Sequence, residues 1–410
     1  MKSIIKAPNV LMPNEKVDMT KWAVVACDQF TSQPEYWQKL AEFVGDAPST
    51  LNVIFPEAYL SKDNQPIIDN INANMKKYLE QGIWQDIGKC MVLVDRRTAL
   101  TPRRLGLVLA VDLEAYSFVR EDHALIRATE GTVIERIPPR KKIRINAPVE
   151  LPHIMLLIDD REQKIIENLY ENRESLEKLY DFDLNMDGGH ITGYKITDTD
   201  AVIEKLNKLM DKDYLKRLYG DADEVMQFAV GDGNHSLATA KECWENIKKT
   251  LTPEQTLTHP ARYALCELVN LHDSSLEFSP IHRVMFNVGE EFISYLQDRL
   301  VGDDTTIANY KDKQYLLHIN SSPSDAIADI QQAIDDYLAT HSKAYVDYVH
   351  GEEYTLDVAR SNDAVAVFMP TISKQSLFGY VARRGVLPRK SFSMGHAEDK
   401  RYYMEAKLIK

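Results

Sequence analysis

Short apolar runs alternate with amphipathic segments along the whole chain. Six runs have the length and composition of buried strands, at 91–94, 105–113, 154–158, 226–230, 315–319 and 365–369. Two longer segments, 161–180 and 201–219, repeat apolar residues at helical spacing with charged residues between them. This alternation predicts a mixed α/β fold, and the absence of a 20–50 residue repeat disfavours solenoids and propellers.

Domain boundaries are only weakly marked. Proline and basic residues at 137–144 predict an exposed connection, and the Asp-, Asn- and Gly-rich segment 181–189 predicts a loop. A third candidate boundary lies near 287–289. We expect an N-terminal α/β region over 1–120, a central region over 121–285 and a C-terminal α/β region over 286–410, with one integrated unit as the alternative.

Charge and cysteine content exclude several classes of protein. The 410 residues include 49 Lys and Arg against 62 Asp and Glu, a net charge of -13, which opposes nonspecific binding to nucleic acid. No apolar run approaches the roughly 20 residues of a membrane span, and no signal peptide is evident, so we expect a cytoplasmic protein without membrane partners. The four cysteines form no CxxC pair, which predicts reduced thiols instead of disulfides or a thiolate zinc site.

One segment combines two glycines with four polar residues between a strand-like run and a helix. It reads Gly231-Asp232-Gly233-Asn234-His235-Ser236. At a strand-to-helix turn, backbone amides and the positive end of the helix favour a phosphate or carboxylate, and glycine lets the backbone approach a ligand. Asp232 would orient a metal-bound water or accept a proton, while His235 and Ser236 would donate hydrogen bonds. The alternative is a ligand-free helix capped by Asn234 or Ser236.

A second segment places a carboxylate among basic residues in an otherwise acidic protein. Arg127 and Glu130 are followed by a basic series, Arg136, Arg140, Lys141, Lys142 and Arg144. Guanidinium groups match phosphate oxygens, and Glu130 would act as general base toward a substrate hydroxyl. The alternative is a solvated basic loop whose charges pair with neighbouring acids.

Three further places carry polar groups that suit a substrate. Asp28 follows Cys27, and two proline-marked segments contain His282-Arg283 and Lys390-Ser391. We expect His282 and Arg283 to contact a ligand at a strand end. A nucleophilic Cys27 is disfavoured because no helix N-terminus or adjacent base is evident to lower its pKa.

Taken in chain order, these segments resemble the bacterial family known as domain of unknown function 1015. Members usually carry Asp-Gly-His-His-Arg at the turn, where this chain has Asn234 and Ser236 in place of the first His and the Arg. Asp232, Gly233 and His235 keep their places, and 280–283 matches the family's Pro-x-His-Arg element. The resemblance covers essentially the whole chain.

The same turn looks like the one in the ParB/sulfiredoxin-like group, which includes free-serine kinases. This remote resemblance implies a ParB/sulfiredoxin-like core with additional α/β elements, and a nucleotide, ATP or ADP, held with Mg²⁺ on the turn. It implies a phosphotransferase acting on a small hydroxyl compound such as serine or its phosphate. Two alternatives remain: a non-catalytic, nucleotide-binding regulatory protein of ParB type, and a peroxiredoxin-repair enzyme. The first is disfavoured by the net charge, and the second because Asn234 stands where a cysteine is needed.

The phosphotransferase interpretation assigns a role to each residue singled out. Catalysis falls to Glu130, Asp232 and His235, with Asp232 also placing Mg²⁺. Phosphates would be bound by Arg127, Arg140, Gly231, Gly233, Asn234 and Ser236. Substrate contacts fall to Asp28, His282, Arg283, Lys390 and Ser391. The sequence leaves open whether the chain forms a homo-oligomer.

Overall fold

The chain forms two compact units in a computed structural model that describes residues 3–60, 64–119, 122–131, 137–219, 225–395 and 400–410. Unit 1 comprises Met1–Ala128, Thr132–Leu276 and His396–Lys410, and unit 2 comprises Thr129–Gly131 and Glu277–Gly395. Within the described ranges, every helix is too short or too polar to cross a membrane.

Unit 1 contains most of the strands and helices. Its strands are β1 Ile5–Lys6, β2 Asn9–Pro13, β3 Val24–Val25, β4 Trp84–Lys89, β5 Met91–Arg97, β6 Arg104–Asp112, β7 Tyr116–Ser117, β8 Ile126–Ala128, β9 Val149–Glu150, β10 Met155–Ile158, β11 Glu177–Asp183, β12 His190–Ile196, β13 Phe228–Asp232, β14 Tyr263–Asn270, β21 Tyr402–Tyr403 and β22 Lys407–Leu408. Its helices are α1 Met19–Trp22, α2 Pro34–Val44, α3 Gln65–Glu80, α4 Ile137–Arg144, α5 Ile166–Glu171, α6 Thr199–Lys208, α7 Lys212–Tyr219, α8 Asn234–Lys248 and α9 Pro253–Thr258.

A mixed sheet organises unit 1. Its strand order is β11-β12-β5-β6-β14-β10-β13-β8-β7, with β1 paired to β6. Most neighbours are antiparallel, but β10 runs parallel to β14, and β8 runs parallel to both β13 and β7. Every residue of β6 is buried, which explains why the sequence there is a continuous apolar run instead of an alternating one.

Short strand pairs tie the late segment 400–410 into unit 1. Strand β21 pairs with β3, and β22 pairs with β9. Arg401 is buried and donates to Glu267 at 2.5 Å and to the backbone oxygen of Pro152 at 2.8 Å. Arg401 also pairs with Glu405, and Glu267 also pairs with Arg104, so these buried charges compensate one another as a group.

Unit 2 has a smaller sheet of its own. Its strands are β15 Phe278–Phe286, β16 Asp304–Tyr310, β17 Lys313–Ile319, β18 Tyr345–His350, β19 Val365–Val367 and β20 Phe392–Met394, and its helices are α10 Glu290–Arg299, α11 Pro323–Thr340, α12 Glu352–Ser361 and α13 Lys374–Arg384. The order is β17-β16-β19-β15-β18, with β20 paired to β15. All of these pairs are antiparallel.

The mixed α/β class predicted from the apolar pattern is confirmed. Each of the six apolar runs lies in a strand, with ends shifted by at most a few residues, at β5, β6, β10, β13, β17 and β19. The segment that follows the polar turn is the helix α8, and Leu237, Ala240 and Trp244 lie on its buried side as its spacing predicts.

Three predictions of where helices and loops begin or end are wrong. The segment 161–180 is not one helix, because after α5 the chain enters β11, where pairing with β12 overrides the helical spacing. The segment 201–219 divides into α6 and α7, since the Asp211 carboxylate accepts hydrogen bonds from the amides of Asp213 and Tyr214 and starts a second helix. The predicted loop begins only after Asp183, where β11 ends.

The basic stretch at 137–144 is the helix α4 and not an exposed connection. Pro138 and Pro139 lie in its first turn, where a missing N–H breaks no helical hydrogen bond. The prediction was wrong because two adjacent prolines also suit a helix start.

Candidate functional site

The turn between β13 and α8 has the backbone geometry that its two glycines permit. Gly231 is the extra residue of a bulge, since Val230 pairs with Leu156 and Asp232 pairs with Met155. Gly233 has a φ of +79°, and a Cβ there would lie 3.0 Å from Cα of Ile154. Gly233 is therefore the cap of α8, and the expectation that Asn234 or Ser236 caps the helix is wrong.

Asp232 ends β13 and carries the charge of the turn. Its Oδ1 accepts from the amide of Gly233, and its Oδ2 accepts from Nζ of Lys400, both at 2.8 Å. Burial alone would raise the pKa of the Asp232 carboxyl, but the Lys400 ammonium holds that pKa below its usual range. Asp232 correspondingly raises the pKa of Lys400 against the effect of burial, so the pair is charged at neutral pH.

A cavity of about 150 Å³ lies within unit 1 beside this turn. Its polar lining includes Glu57, Arg140, His153, Ser236 and Tyr403. The remaining lining is largely apolar, with Val53, Phe55, Met75, Ile143 and Leu151 among its members. A charged group next to an apolar wall suits a small ligand with one anionic end.

Helix α4 brings Arg140 to this cavity. Its guanidinium forms an ion pair with Glu57, and burial raises the pKa of Glu57 in spite of that guanidinium. Two neighbours on the same helix are also paired, Lys141 with Glu242 at 3.5 Å and Arg144 with Glu150 at 2.5 Å. Arg140, Lys141 and Arg144 thus pair with acids, as the alternative interpretation expected, but they lie on a helix and not in a loop. Arg136 lies outside the described residues.

Two side chains that were not predicted from the sequence, His153 and Tyr403, form a hydrogen-bonded series with Ser236 in the same cavity. Oγ of Ser236 is 2.8 Å from Nε2 of His153, and Nδ1 of that ring is 2.8 Å from the hydroxyl of Tyr403. The Tyr403 hydroxyl accepts from the amide of Cys27 at 3.2 Å. Neither His153 nor Tyr403 stands in a recognisable motif, and their sequence positions lie far from Ser236.

Asp28 and Cys27 lie in the loop after β3. The Asp28 carboxylate accepts from the Gln29 side chain at 2.9 Å, and its charge acts on Lys400 and on Cys27. Burial and then Asp28 raise the pKa of Cys27 to about 12, so the thiol is protonated at neutral pH. This agrees with the sequence-based view that Cys27 is a poor nucleophile, and Cys27, Cys90, Cys243 and Cys266 are all free thiols.

Three further predicted residues flank the turn. Arg127 is buried in β8, the parallel neighbour of β13, and its Nε donates to the backbone oxygen of Ala124 at 2.8 Å. Asn234 opens α8, and within the described part of the chain its buried Oδ1 has no hydrogen-bond partner. His235 is half-buried in the same helical turn, and its backbone oxygen accepts from Thr239.

Glu130 belongs to unit 2, where it is held by backbone amides. Its two carboxylate oxygens accept from the amides of Lys390 and Ser391, each at 3.0 Å. The hydroxyl of Ser391 donates to the backbone oxygen of Pro388 at 2.6 Å. Burial raises the pKa of Glu130 against the effect of these amides. The carboxylate therefore anchors the segment 388–392, and its role as a general base stays a prediction.

His282 and Arg283 lie inside β15 and not at a strand end, so that part of the prediction is wrong. Nδ1 of His282 accepts from the amide of Met369 at 3.1 Å. Arg283 is fully buried and donates to Gln331 at 2.9 Å and to the backbone oxygen of Lys390 at 3.0 Å. Both side chains have structural partners because adjacent strands and the 388–392 segment cover them.

The donor set around Asp232 does not form a magnesium site by itself. Among the described residues, no group of three or more His, Cys, Asp and Glu side chains is placed to hold a metal ion. Both oxygens of Asp232 already have donors, one of them a cation. Mg²⁺ is usually held by one or two carboxylates together with substrate phosphates, so an ion here would have to arrive with a ligand.

The fold and the turn define a mixed α/β protein with a candidate anion-binding site at a strand-to-helix junction. The family model described as "Protein of unknown function (DUF1015)" matches residues 9–377. The chain therefore belongs to the DUF1015 family, which confirms the resemblance drawn from its motifs. No curated protein matches the chain.

Several solved structures are distantly similar. A free serine kinase variant in complex with AMP has a TM-score of 0.40 and 9% identity, covering 72% of this chain and 91% of that one. A conserved hypothetical protein from Pyrococcus furiosus has a TM-score of 0.36 and 10% identity, with coverages of 74% and 95%. SbnI from Staphylococcus aureus, truncated at its C-terminus, has a TM-score of 0.38 and 10% identity, with coverages of 70% and 82%. Similarities this distant carry no argument about function.

Proposed function

We propose that unit 1 transfers a phosphoryl group between a nucleotide and a small hydroxyl compound, with ATP or ADP as the nucleotide. The observation that carries this proposal is that Arg140, from α4, and Ser236, from the first turn of α8, line one cavity. A guanidinium and a helix N-terminus both favour a group with several anionic oxygens. Phosphoryl transfer depends mostly on positioning and charge neutralisation, which these groups supply.

Lys400 adds a second cation at the turn. It is bonded to Asp232 at 2.8 Å, and the Lys400 side chain is 18% exposed, so a phosphate oxygen could share the ammonium with the carboxylate. The Asp232 carboxylate would then keep Lys400 charged and in place. Mg²⁺ bound to the nucleotide would add charge neutralisation, but the protein residues named here bind and orient the phosphates without it.

The size of the cavity favours a small acceptor. A cavity of about 150 Å³ accommodates a molecule the size of benzene. Benzene has about as many non-hydrogen atoms as a small amino acid. We propose serine or phosphoserine as the first compounds to test, with the nucleotide phosphates at the turn. The apolar lining near Val53 and Met75 would favour acceptors that carry some apolar surface.

The remaining predicted residues keep lesser roles in this proposal. Arg127 would support β13 from the neighbouring strand, and His235 and Asn234 would donate to phosphate oxygens from the first turn of α8. We keep Glu130 as a candidate base and His282, Arg283, Lys390 and Ser391 as candidate substrate contacts, to be tested as members of unit 2.

The experiment follows phosphorus species by NMR. The purified protein is incubated with ATP, ADP or CTP, with and without Mg²⁺, across amino acids, hydroxy acids and their phosphates. Wild-type protein should convert one nucleotide and one acceptor together. Arg140→Gln should raise the Kd for that nucleotide by roughly 10- to 100-fold, as loss of a charged hydrogen-bond donor does.

Lys142→Gln is the matched control. Lys142 is an exposed residue of the same helix, so its loss changes the net charge equally without changing the cavity. Circular dichroism of both variants checks that unit 1 is folded. Equal affinities in the two variants, or no conversion of any nucleotide, would exclude this site as a phosphotransferase centre. Nucleotide binding without turnover would favour the regulatory alternative.

A further inference from the structure

Ser236 has the hydrogen-bonding environment of an activated nucleophile. A nucleophilic serine needs a base within about 2.6–3.2 Å and a third group that orients the base. His153 meets the first condition at 2.8 Å, and Tyr403 meets the second at 2.8 Å on the opposite ring nitrogen. All three side chains line the unit 1 cavity, so the serine oxygen is accessible to a small substrate.

Activation of Ser236 requires one tautomer of His153. With the ring proton on Nδ1, that nitrogen donates to the Tyr403 hydroxyl, whose oxygen also accepts from the amide of Cys27 at 3.2 Å. Nε2 then has a lone pair available 2.8 Å from the Ser236 oxygen.

Two carboxylates lie near the proposed base. Those of Asp232 and Glu57 both interact electrostatically with His153. Arg401 holds the preceding residue by donating to the backbone oxygen of Pro152 at 2.8 Å, which fixes the position of the ring. Ser236 itself lies in the first turn of the fifteen-residue helix α8, where its oxyanion would be stabilised.

We propose that Ser236 is a covalent phosphoryl carrier, activated by His153 and with Tyr403 as a positioning residue. Ser236 Oγ attacks the terminal phosphorus of a nucleoside triphosphate, and its proton passes to Nε2 of His153. The new Oγ–P bond forms as the bond to the bridging oxygen breaks, and the nucleoside diphosphate leaves with that electron pair. His153 then releases that proton to the departing diphosphate or to solvent. The acceptor hydroxyl attacks phosphoserine, its proton passes to Nε2 of His153, and Ser236 Oγ leaves and takes that proton from His153. This inference rests on the proposed function, since it names the route of the same transfer.

The experiment has one arm that depends on a nucleotide and one that does not. In the first, the intact protein is incubated with a nucleoside triphosphate that is labelled on its terminal phosphate, and no acceptor compound is added. The labelled residue is then identified by peptide mass spectrometry. In the second, a fluorophosphonate, which forms a bond only with activated serines, is mapped in the same way. Both labels should lie on Ser236 and be absent in Ser236→Ala.

His153→Gln should lower both labelling rates by roughly 10²- to 10⁴-fold, as removal of a general base does, and added imidazole should restore part of the rate. Thr340→Ala is the matched control, because Oγ1 of Thr340 lies 3.0 Å from Nδ1 of His341 on an exposed surface of unit 2. That variant should label as wild type does. Rescue by imidazole distinguishes a base from a residue needed only for folding.

The failures of the two proposals are distinguishable. Phosphoryl transfer to an acceptor at an unchanged rate in Ser236→Ala would overturn the carrier and leave the proposed function intact. Absence of fluorophosphonate label on Ser236 would overturn the carrier whatever the nucleotide arm gives. Fluorophosphonate label without phosphoryl transfer from any nucleotide would overturn both the proposed function and the phosphoserine step.

Discussion

Two histidines in this protein have opposite environments. His153 lines a cavity with carboxylates nearby. In contrast, the His282 residue is only 2% exposed, and the strand that contains it, β15, has no acidic residue. Burial, and then the charges of Arg283 and His350, lower the pKa of His282 to about 4. Residue type alone therefore does not identify a functional histidine, because the surroundings of the ring decide what it can do.

The buried His282 should make unit 2 sensitive to acid. Because the folded-state pKa of about 4 lies below the unfolded value of 6.5, the unfolded chain binds a proton that the folded chain does not. This histidine should therefore lower stability by about 2 kcal/mol when the pH falls from 7 to 5. Urea unfolding followed by far-ultraviolet circular dichroism measures this change.

The four tryptophans provide the control for that measurement. Trp22, Trp37, Trp84 and Trp244 all belong to unit 1, so their fluorescence follows that unit alone. The additional loss of stability at pH 5 should appear in the unfolding curve measured by circular dichroism and not in the curve measured by fluorescence. In His282→Asn, whose amide oxygen can still accept from Met369, the loss should be smaller. An identical pH dependence in that variant would contradict the prediction.

At the residue scale, the site residues that were predictable lie in segments with a local signal, either the turn or the basic stretch that contains Arg140. Asp232, Gly233 and Ser236 are close together in sequence, and their turn was recognisable. Lys400 and His153 come from remote segments, and only the pairing of β21 with β3 and the packing of Arg401 against Pro152 bring them to the turn. Such tertiary contacts leave no periodic or spaced pattern in one sequence.

At the element scale, the start of α8 depends on a glycine for two separable reasons. Gly233 and Gly88 have positive φ angles, +79° and +87°, which L side chains rarely adopt. A Cβ at Gly233 would also meet the backbone of Ile154 at 3.0 Å, whereas a Cβ at Gly88 would have nothing within 4 Å. Gly88→Ala thus measures the conformational cost alone.

We expect Gly88→Ala to destabilise unit 1 by about 1 kcal/mol and Gly233→Ala by roughly 2–4 kcal/mol. The difference arises because backbone atoms of Ile154 cannot move aside as a flexible side chain can. Urea unfolding followed by tryptophan fluorescence compares the two variants directly. Equal destabilisation by Gly88→Ala and Gly233→Ala would mean that β10 and α8 separate more easily than their packing indicates.

The segment 388–392 depends on one carboxylate from outside it. In Glu130→Gln only one oxygen remains to accept from the amides of Lys390 and Ser391, so one of these amides loses its partner. We expect a cost of about 1–3 kcal/mol and faster amide hydrogen exchange over these residues. Glu277→Gln, an exposed residue of unit 2, is the control.

Hydrogen exchange also separates the two roles of Glu130. If Glu130 anchors the segment, exchange accelerates in Glu130→Gln at 388–392. Unchanged exchange together with a large loss of turnover would instead assign Glu130 to the chemistry, as the sequence analysis predicted. The same comparison shows whether the amides or a substrate hydroxyl are the main partners of this carboxylate.

Elements with one clear signal were predictable and elements with competing signals were not. Strands such as β6 are buried on both faces and leave an uninterrupted apolar run. In contrast, 161–180 has helical spacing, yet Tyr180 is buried in β11 and donates to Glu405 at 2.6 Å. That bond joins residues 225 positions apart, so no local window contains it.

At the scale of the whole molecule, we expect no binding to duplex DNA. The net charge is -13. In α4, Arg140, Lys141 and Arg144 form ion pairs with Glu57, Glu242 and Glu150. Counterion release therefore provides little affinity. Fluorescence anisotropy at low salt should show no saturable binding at micromolar protein. Saturable binding that weakens steeply with added salt would favour the regulatory alternative.

The return of the segment 400–410 to unit 1 has a consequence for protein synthesis. This segment provides Lys400, Tyr403, β21 and β22, and it is translated only after the whole of unit 2. While the ribosome is still making unit 2, the earlier part of unit 1 has neither the cation at the turn nor the hydroxyl that orients His153. A nascent chain, or a product of translation stopped before codon 400, should therefore carry the turn without a working site. The order of translation thus delays the proposed activity until both units have been made.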